Sequence, residues 1–100
     1  MKKIQWFVYD YYCAAGRPKA EEAVMHYAQE RYLHCLVEDY MLEDIQMDLE
    51  RYCMQVREEN KRLAPVKITV ADERNRADGH ARIYIGAQSL SLRRVKKTIE

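Results

Sequence analysis

Between Pro18 and Pro65 the chain contains no Gly or Pro at all, and no Asn before Asn60. A run that long without a breaker favours helix throughout. A straight helix over residues 18–63 would be about 69 Å long at 1.5 Å per residue, too long for a compact domain of this size. The spacing therefore predicts two helices with a break near Val37–Asp39, with Asp39 as N-cap of the second. One long helix completed by a second chain is the alternative.

The apolar periodicity is clearest in the second half. Leu42, Ile45, Leu49, Tyr52 and Val56 fall at 3-4-3-4 spacing, with Leu63 one heptad beyond Val56. In the first half Ala20, Val24, Tyr27, Ala28 and Cys35 share a face that has Arg31 near its middle. A second stripe, Leu36, Tyr40, Met47 and Met54, lies well around the later helix. Two stripes call for two neighbours, either the sheet and the first helix or the same stripe of a second subunit.

The flanks read as strands. Ile4, Trp6 and Val8 alternate with Gln5, Phe7 and Tyr9, and both sets are largely apolar, as in a strand buried on both faces. Gly16 and Pro18 end it, and Pro18 suits the first turn of a helix followed by Glu21 and Glu22. After Pro65, VKITV (66–70) and ARIYI (81–85) each alternate. The polar segment DERNRADGH between them marks a β-hairpin with a long charged loop, and Gly86 closes its second strand. In SLSLRRVKKTIE (89–100), Leu90 and Leu92 alternate but Val95 breaks phase. Leu92, Val95 and Ile99 fit a short terminal helix capped by Ser89 or Ser91.

The expected fold is thus a single α+β domain over residues 1–100 in the order β-α-α-β-β-α. A three-stranded, mainly antiparallel sheet (1–13, 65–72, 80–87) would be covered by two helices, a helical hairpin or one long helix. A short basic C-terminal helix would end the chain. One hundred residues support one core. With 48% hydrophobic and 33% charged residues the chain belongs with globular rather than disordered sequences.

No stretch approaches the ~20 apolar residues of a membrane span, so no membrane partner is expected. The first residues have the lysines of a signal peptide, but Gln5, Asp10 and three tyrosines interrupt the apolar run. Cys13, Cys35 and Cys53 are odd in number and widely spaced, as in a cytoplasmic protein with buried free thiols.

Charge is divided along the chain. Residues 1–60 carry seven Lys or Arg against twelve Asp or Glu, a net −5, and residues 61–100 carry ten against four, a net +6. Two binding surfaces follow. The acidic helices, with Tyr40, Glu43, Asp44, Met47, Asp48 and Met54, form a candidate protein interface, and the eight tyrosines suit such a role. The basic hairpin and tail, with Arg74, Arg76, His80, Arg82, Tyr84, Arg93, Arg94, Lys96 and Lys97, form a candidate RNA- or DNA-binding patch if both project to one side.

Catalytic signals are sparse: GxSxG, P-loop and GxGxxG motifs are all missing from the sequence. A ribonuclease-type site would need His80, Arg76, Arg82 and a Tyr or Lys close together. The coarse element order is similar to that of small mRNA-cleaving toxins, a likeness of fold order alone. His26, Glu30 and His34 are spaced four apart, but they lack the HExxH pattern, and an i,i+4 polar stripe explains them without a metal. No cofactor is expected. The leading expectation is a non-enzymatic, homodimeric protein-interaction or inhibitor module. Nucleic-acid binding comes second and RNA cleavage third.

Overall fold

The computed structural model of the protein describes residues 4–16, 18–72 and 79–95. Its elements are β1 (Gln5–Tyr12), α1 (Lys19–Tyr32), β2 (Leu36–Glu38), a 3-10 turn (Asp39–Met41), α2 (Leu42–Glu59), β3 (Ile68–Asp72), β4 (His80–Ile85) and β5 (Gln88–Val95). The sheet is a five-stranded antiparallel half-barrel in the order β2-β1-β5-β4-β3. This corrects the three-stranded sheet and the terminal helix expected from the sequence.

Residues 88–95 are a strand because Gly86 and Ala87 make a two-residue hairpin turn. Gly86 takes a φ of +63°, which such turns require and which a side chain resists. Alternating Leu90 and Leu92 then face the core with no exposure. Val95 breaks phase for a simple reason. It pairs with Gln5 on the other face, at the end of the strand. The rest of the expected terminal helix, residues 96–100, lies outside the described residues, as does the hairpin loop, residues 73–78.

The long helical stretch does break near Val37, but the interruption is itself a strand. At Leu33 the chain leaves α1, and His34 adopts a left-handed φ of +66°. His34 and Val8 then exchange backbone bonds with the neighbouring segment: His34 N–H donates to Val8 O, and Val8 N–H to Cys35 O. β2 pairs with β1 through Gln5–Glu38, Trp6–Val37 and Phe7–Leu36. Asp39 does not cap α2, whose N-cap position is Met41 without a side-chain cap bond. Its Oδ1 instead accepts the indole N–H of fully buried Trp6 at 2.8 Å, the partner a buried Trp needs.

Both helices cover one face of the sheet. α1 crosses β5 and β4 with Ala20, Val24, Met25 and Ala28 buried, while α2 lies along β3 with Leu42, Ile45, Leu49 and Cys53 buried. Opposite them stand Trp6, Val8, Ile68, Ala81, Ile83, Ile85, Leu90 and Leu92, all in one core cluster. β1 is an interior strand, as its apolar character implied, yet only one of its faces is covered. Phe7 is half-buried and Tyr9 exposed on the other.

The β4–β5 turn is clamped from the helix layer. Glu21 Oε1 accepts Ala87 N–H at 3.3 Å and Gln88 Nε2–H at 3.2 Å, and a Cβ on Gly86 would stand 2.3 Å from the Glu21 carboxyl carbon. Gly86→Ala is therefore expected to destabilise the fold by about 1–3 kcal/mol through strain at positive φ and displacement of this carboxylate. Chemical denaturation checks it, and wild-type stability for the variant would mean the turn is not held in this way.

Candidate functional site

The sheet face opposite the helices is open, and beyond a rim of Glu38, Gln5 and Val95 cross-strand register assigns its residues to three rows. Leu36, Phe7, Arg93 and His80 form the first, Asp10, Ser91, Arg82 and Ala71 the second, and Tyr12, Ser89, Tyr84 and Thr69 the third. A register shift between Val8 and Asp10 places Tyr9 on this face as well as Asp10, a β-bulge. The same bulge sends Tyr11 to the other side, where it lines a cleft of about 670 Å3 with Cys13, Lys19, His26 and Gln29.

Arg93 organises the first row. Its guanidinium lies 5.4 Å from the Phe7 ring centroid and 5.7 Å from that of Tyr9, cation–π distances for both. His34 stacks on Phe7 from the β2 side at 6.2 Å, while His80 is the cross-strand partner of Arg93 on β4. Tyr12 is 61% exposed and Tyr84, Tyr9, Arg82 and His80 are exposed as well. The face thus combines aromatic rings with Arg82 and Arg93, and its acidic members are Asp10 and, at the rim, Glu38.

Among the described residues, Arg93 of the tail thus shares one side with His80, Arg82 and Tyr84 of the hairpin. Of the nine basic-patch residues expected from sequence, His80, Arg82, Tyr84 and Arg93 come together here. Arg94 does not, because it pairs with core residue Trp6 and points to the helix side, half-buried. Arg74, Arg76, Lys96 and Lys97 lie outside the described residues. Phe7, Tyr9, Asp10, Tyr12 and Ser91 are site residues that the sequence did not single out for this face. Their alternation was visible, but the bulge that swaps Tyr11 for Tyr12 was not.

The helix-side candidates separate differently. Tyr40, Met47 and Met54 project to solvent at 73%, 64% and 63% exposure, seven residues apart, with Glu43 and Asp44 exposed beside them. Asp48 does not join them. Its side chain is only 17% exposed, and it accepts hydrogen bonds from Tyr27 and Tyr32 hydroxyls and ion-pairs with Arg31 and Arg51. Tyr27 in turn stacks on Tyr52 at 4.0 Å, so this cluster locks α1 to α2. The row of His26, Glu30 and His34 is not formed either. His26 contacts Glu30 at 2.8 Å, but His34 lies past the end of α1, on the sheet face. Of the three cysteines, all free, only Cys53 is buried.

Burial alone would raise the Asp48 carboxyl, but the bonds from Tyr32, Arg51 and Tyr27 and the charge of Arg31 outweigh it and hold the group below its ordinary value. Tyr32 is pushed up to about 12 by burial and by its bond to Asp48. The Asp48 contribution to stability is present above the ordinary carboxyl value of 3.8 and is lost as pH falls through the depressed one. The Tyr32 contribution is present below pH 10 and is lost as pH rises toward about 12. Asp48→Ala should cost about 1–3 kcal/mol at neutral pH, because it leaves the half-buried hydroxyls of Tyr27 and Tyr32 without their acceptor. Thermal melts across pH check this. The variant should lose part of the acid limb that wild type shows, and an unchanged limb would remove Asp48 from it.

No protein-family model, curated protein or solved structure matches this chain. Among the described residues no helix is long and apolar enough to cross a membrane.

Proposed function

We propose that the protein is a non-enzymatic nucleic-acid-binding module, cytoplasmic, that uses the open face of its sheet. One observation carries this reading: β5 brings Arg93 from the tail onto the same face as His80, Arg82 and Tyr84 of the hairpin, directly over Phe7 and Tyr9. Guanidinium groups set among exposed rings suit a polymer that alternates phosphates with flat bases. The two histidines of this face stand on opposite sides of the Phe7–Arg93 pair, which suits binding better than paired acid–base cleavage.

Anisotropy titrations of nuclease-treated protein against labelled RNA and DNA, over a salt series, test the reading. Arg82→Gln combined with Arg93→Gln should weaken binding and flatten the slope of log affinity against log salt by roughly 0.7 per lost phosphate contact on a single strand. The nucleic acid should be recovered intact. An unchanged slope in the double variant would remove this face from nucleic-acid binding.

A second reading, self-association or capture of a protein partner through α2, is favoured by the exposed Tyr40–Met47–Met54 stripe. In that case Met47→Glu with Met54→Glu should abolish a dimer seen by sedimentation, and charge reversal at Glu43 or Asp44 should weaken it. A monomeric wild type at high concentration would leave only the hetero-partner version.

A further inference from the structure

Resting on the nucleic-acid reading, we infer that the ligand is single-stranded RNA, with bases stacked at two aromatic ends of the sheet face and a 2′-hydroxyl read between them.

The register sets the layout. Phe7 and Tyr9 with Arg93 form one end, and Tyr12 and Tyr84 form the other, each on the row of Ser89. Along β4 the ends are separated by the four residues from His80 to Tyr84, about 13 Å at the rise of an antiparallel strand. Exposed rings on the open sheet face offer stacking faces, and only unpaired bases have a free face to stack. Among the described residues no helix rises from this face to enter a groove, so duplex has little to gain from it. A span of this size matches a strand of about three nucleotides lying across the sheet.

The middle row distinguishes RNA from DNA. Asp10, Ser91 and Arg82 are consecutive cross-strand partners, so a carboxylate and a hydroxyl stand beside a guanidinium between the two aromatic ends. Asp10 is fixed at the bulge by accepting the Tyr11 N–H at 2.8 Å. Arg82 can take a phosphate, whereas Asp10 repels one. A carboxylate accepts from a donor of the polymer; base amino groups are donors in RNA and DNA alike, and the 2′-hydroxyl is the one that RNA adds. Charge favours this occupant over a second copy of the chain, since a face-to-face dimer would oppose Arg82, Arg93 and His80 to themselves.

The test compares a labelled single-stranded RNA of about 12 nucleotides, the DNA of the same sequence and the RNA duplex, against wild type and three alanine variants, with Tyr84→Arg kept for the oligomeric state. Tyr12→Ala and Tyr84→Ala should each weaken single-stranded RNA binding by about 5- to 150-fold while leaving the salt slope unchanged, because they remove stacking and no phosphate contact. Asp10→Ala should bring the RNA and DNA affinities together. Circular dichroism of each variant checks that it folds, and the exposed positions of Tyr12 and Asp10 make them safe to truncate. If no nucleic acid binds at low salt, the nucleic-acid reading itself falls. If duplex and single strand bind alike and the tyrosine variants match wild type, the phosphate patch stands and the stacking inference is overturned. Equal RNA and DNA affinity in wild type overturns the role of Asp10. A wild-type dimer that Tyr84→Arg dissociates would show the face to be covered by a second copy and overturn the inference outright.

Discussion

The pairing of β1 with β5 is the contact on which everything else rests. Gln5–Tyr12 is hydrogen-bonded to the last described strand, Ser89–Val95, some eighty residues later. Without it the sheet would fall into two fragments, β2-β1 and β5-β4-β3. It also aligns Val8 with Leu92, both fully buried, and so closes the floor beneath α1. Such distant pairing gives the chain a high contact order, and the entropy of closing that loop is recovered only when both strands and the helices above them meet.

The helices and most strands were legible in the sequence because their periodicities are strong. Leu42, Ile45 and Leu49 are buried as their spacing implies, and β3 and β4 fall within a few residues of the expected bounds. What misled was local ambiguity. Leu92 and Val95 are three apart, a helical interval, yet Gly86 at positive φ commits the segment to a hairpin before that interval can matter. β2 is three residues long, too short for any periodicity to register, and is defined by Val37 finding Trp6. Asp39 had the composition of a helix cap and was claimed by an indole instead. Asp48 had the look of a surface acid because its hydroxyl partners, Tyr27 and Tyr32, come from the other helix.

The same folding sorts charge into two sides. The acidic first sixty residues supply the helices, whose outer surface shows Glu43, Asp44 and Glu50, while the basic remainder supplies Arg82 and Arg93 to the sheet face beyond. Because a layer of core separates them, the two sets do not neutralise each other at close range. In the proposed role, the acidic helical side would repel a polyanion, leaving the sheet face, where Arg82 and Arg93 stand beside Asp10 and Glu38, as the side of approach. That division follows from topology rather than composition, since the net charge is only +1.

An uncovered sheet face has to be stable in water without attracting neighbours, and the residue choice here answers that requirement. Tyrosine carries a hydroxyl into solvent while its ring lies on the sheet, and Arg93 shields Phe7 and Tyr9 with a guanidinium rather than another hydrocarbon. Leucine or isoleucine at these positions would create the contiguous apolar patch that drives sheets to aggregate. The rings thus remain accessible from above although each is supported from below. For the proposed ligand, with its own π-faces and negative charge, replacing the water over these rings would break no internal contact other than the loose Arg93 stack.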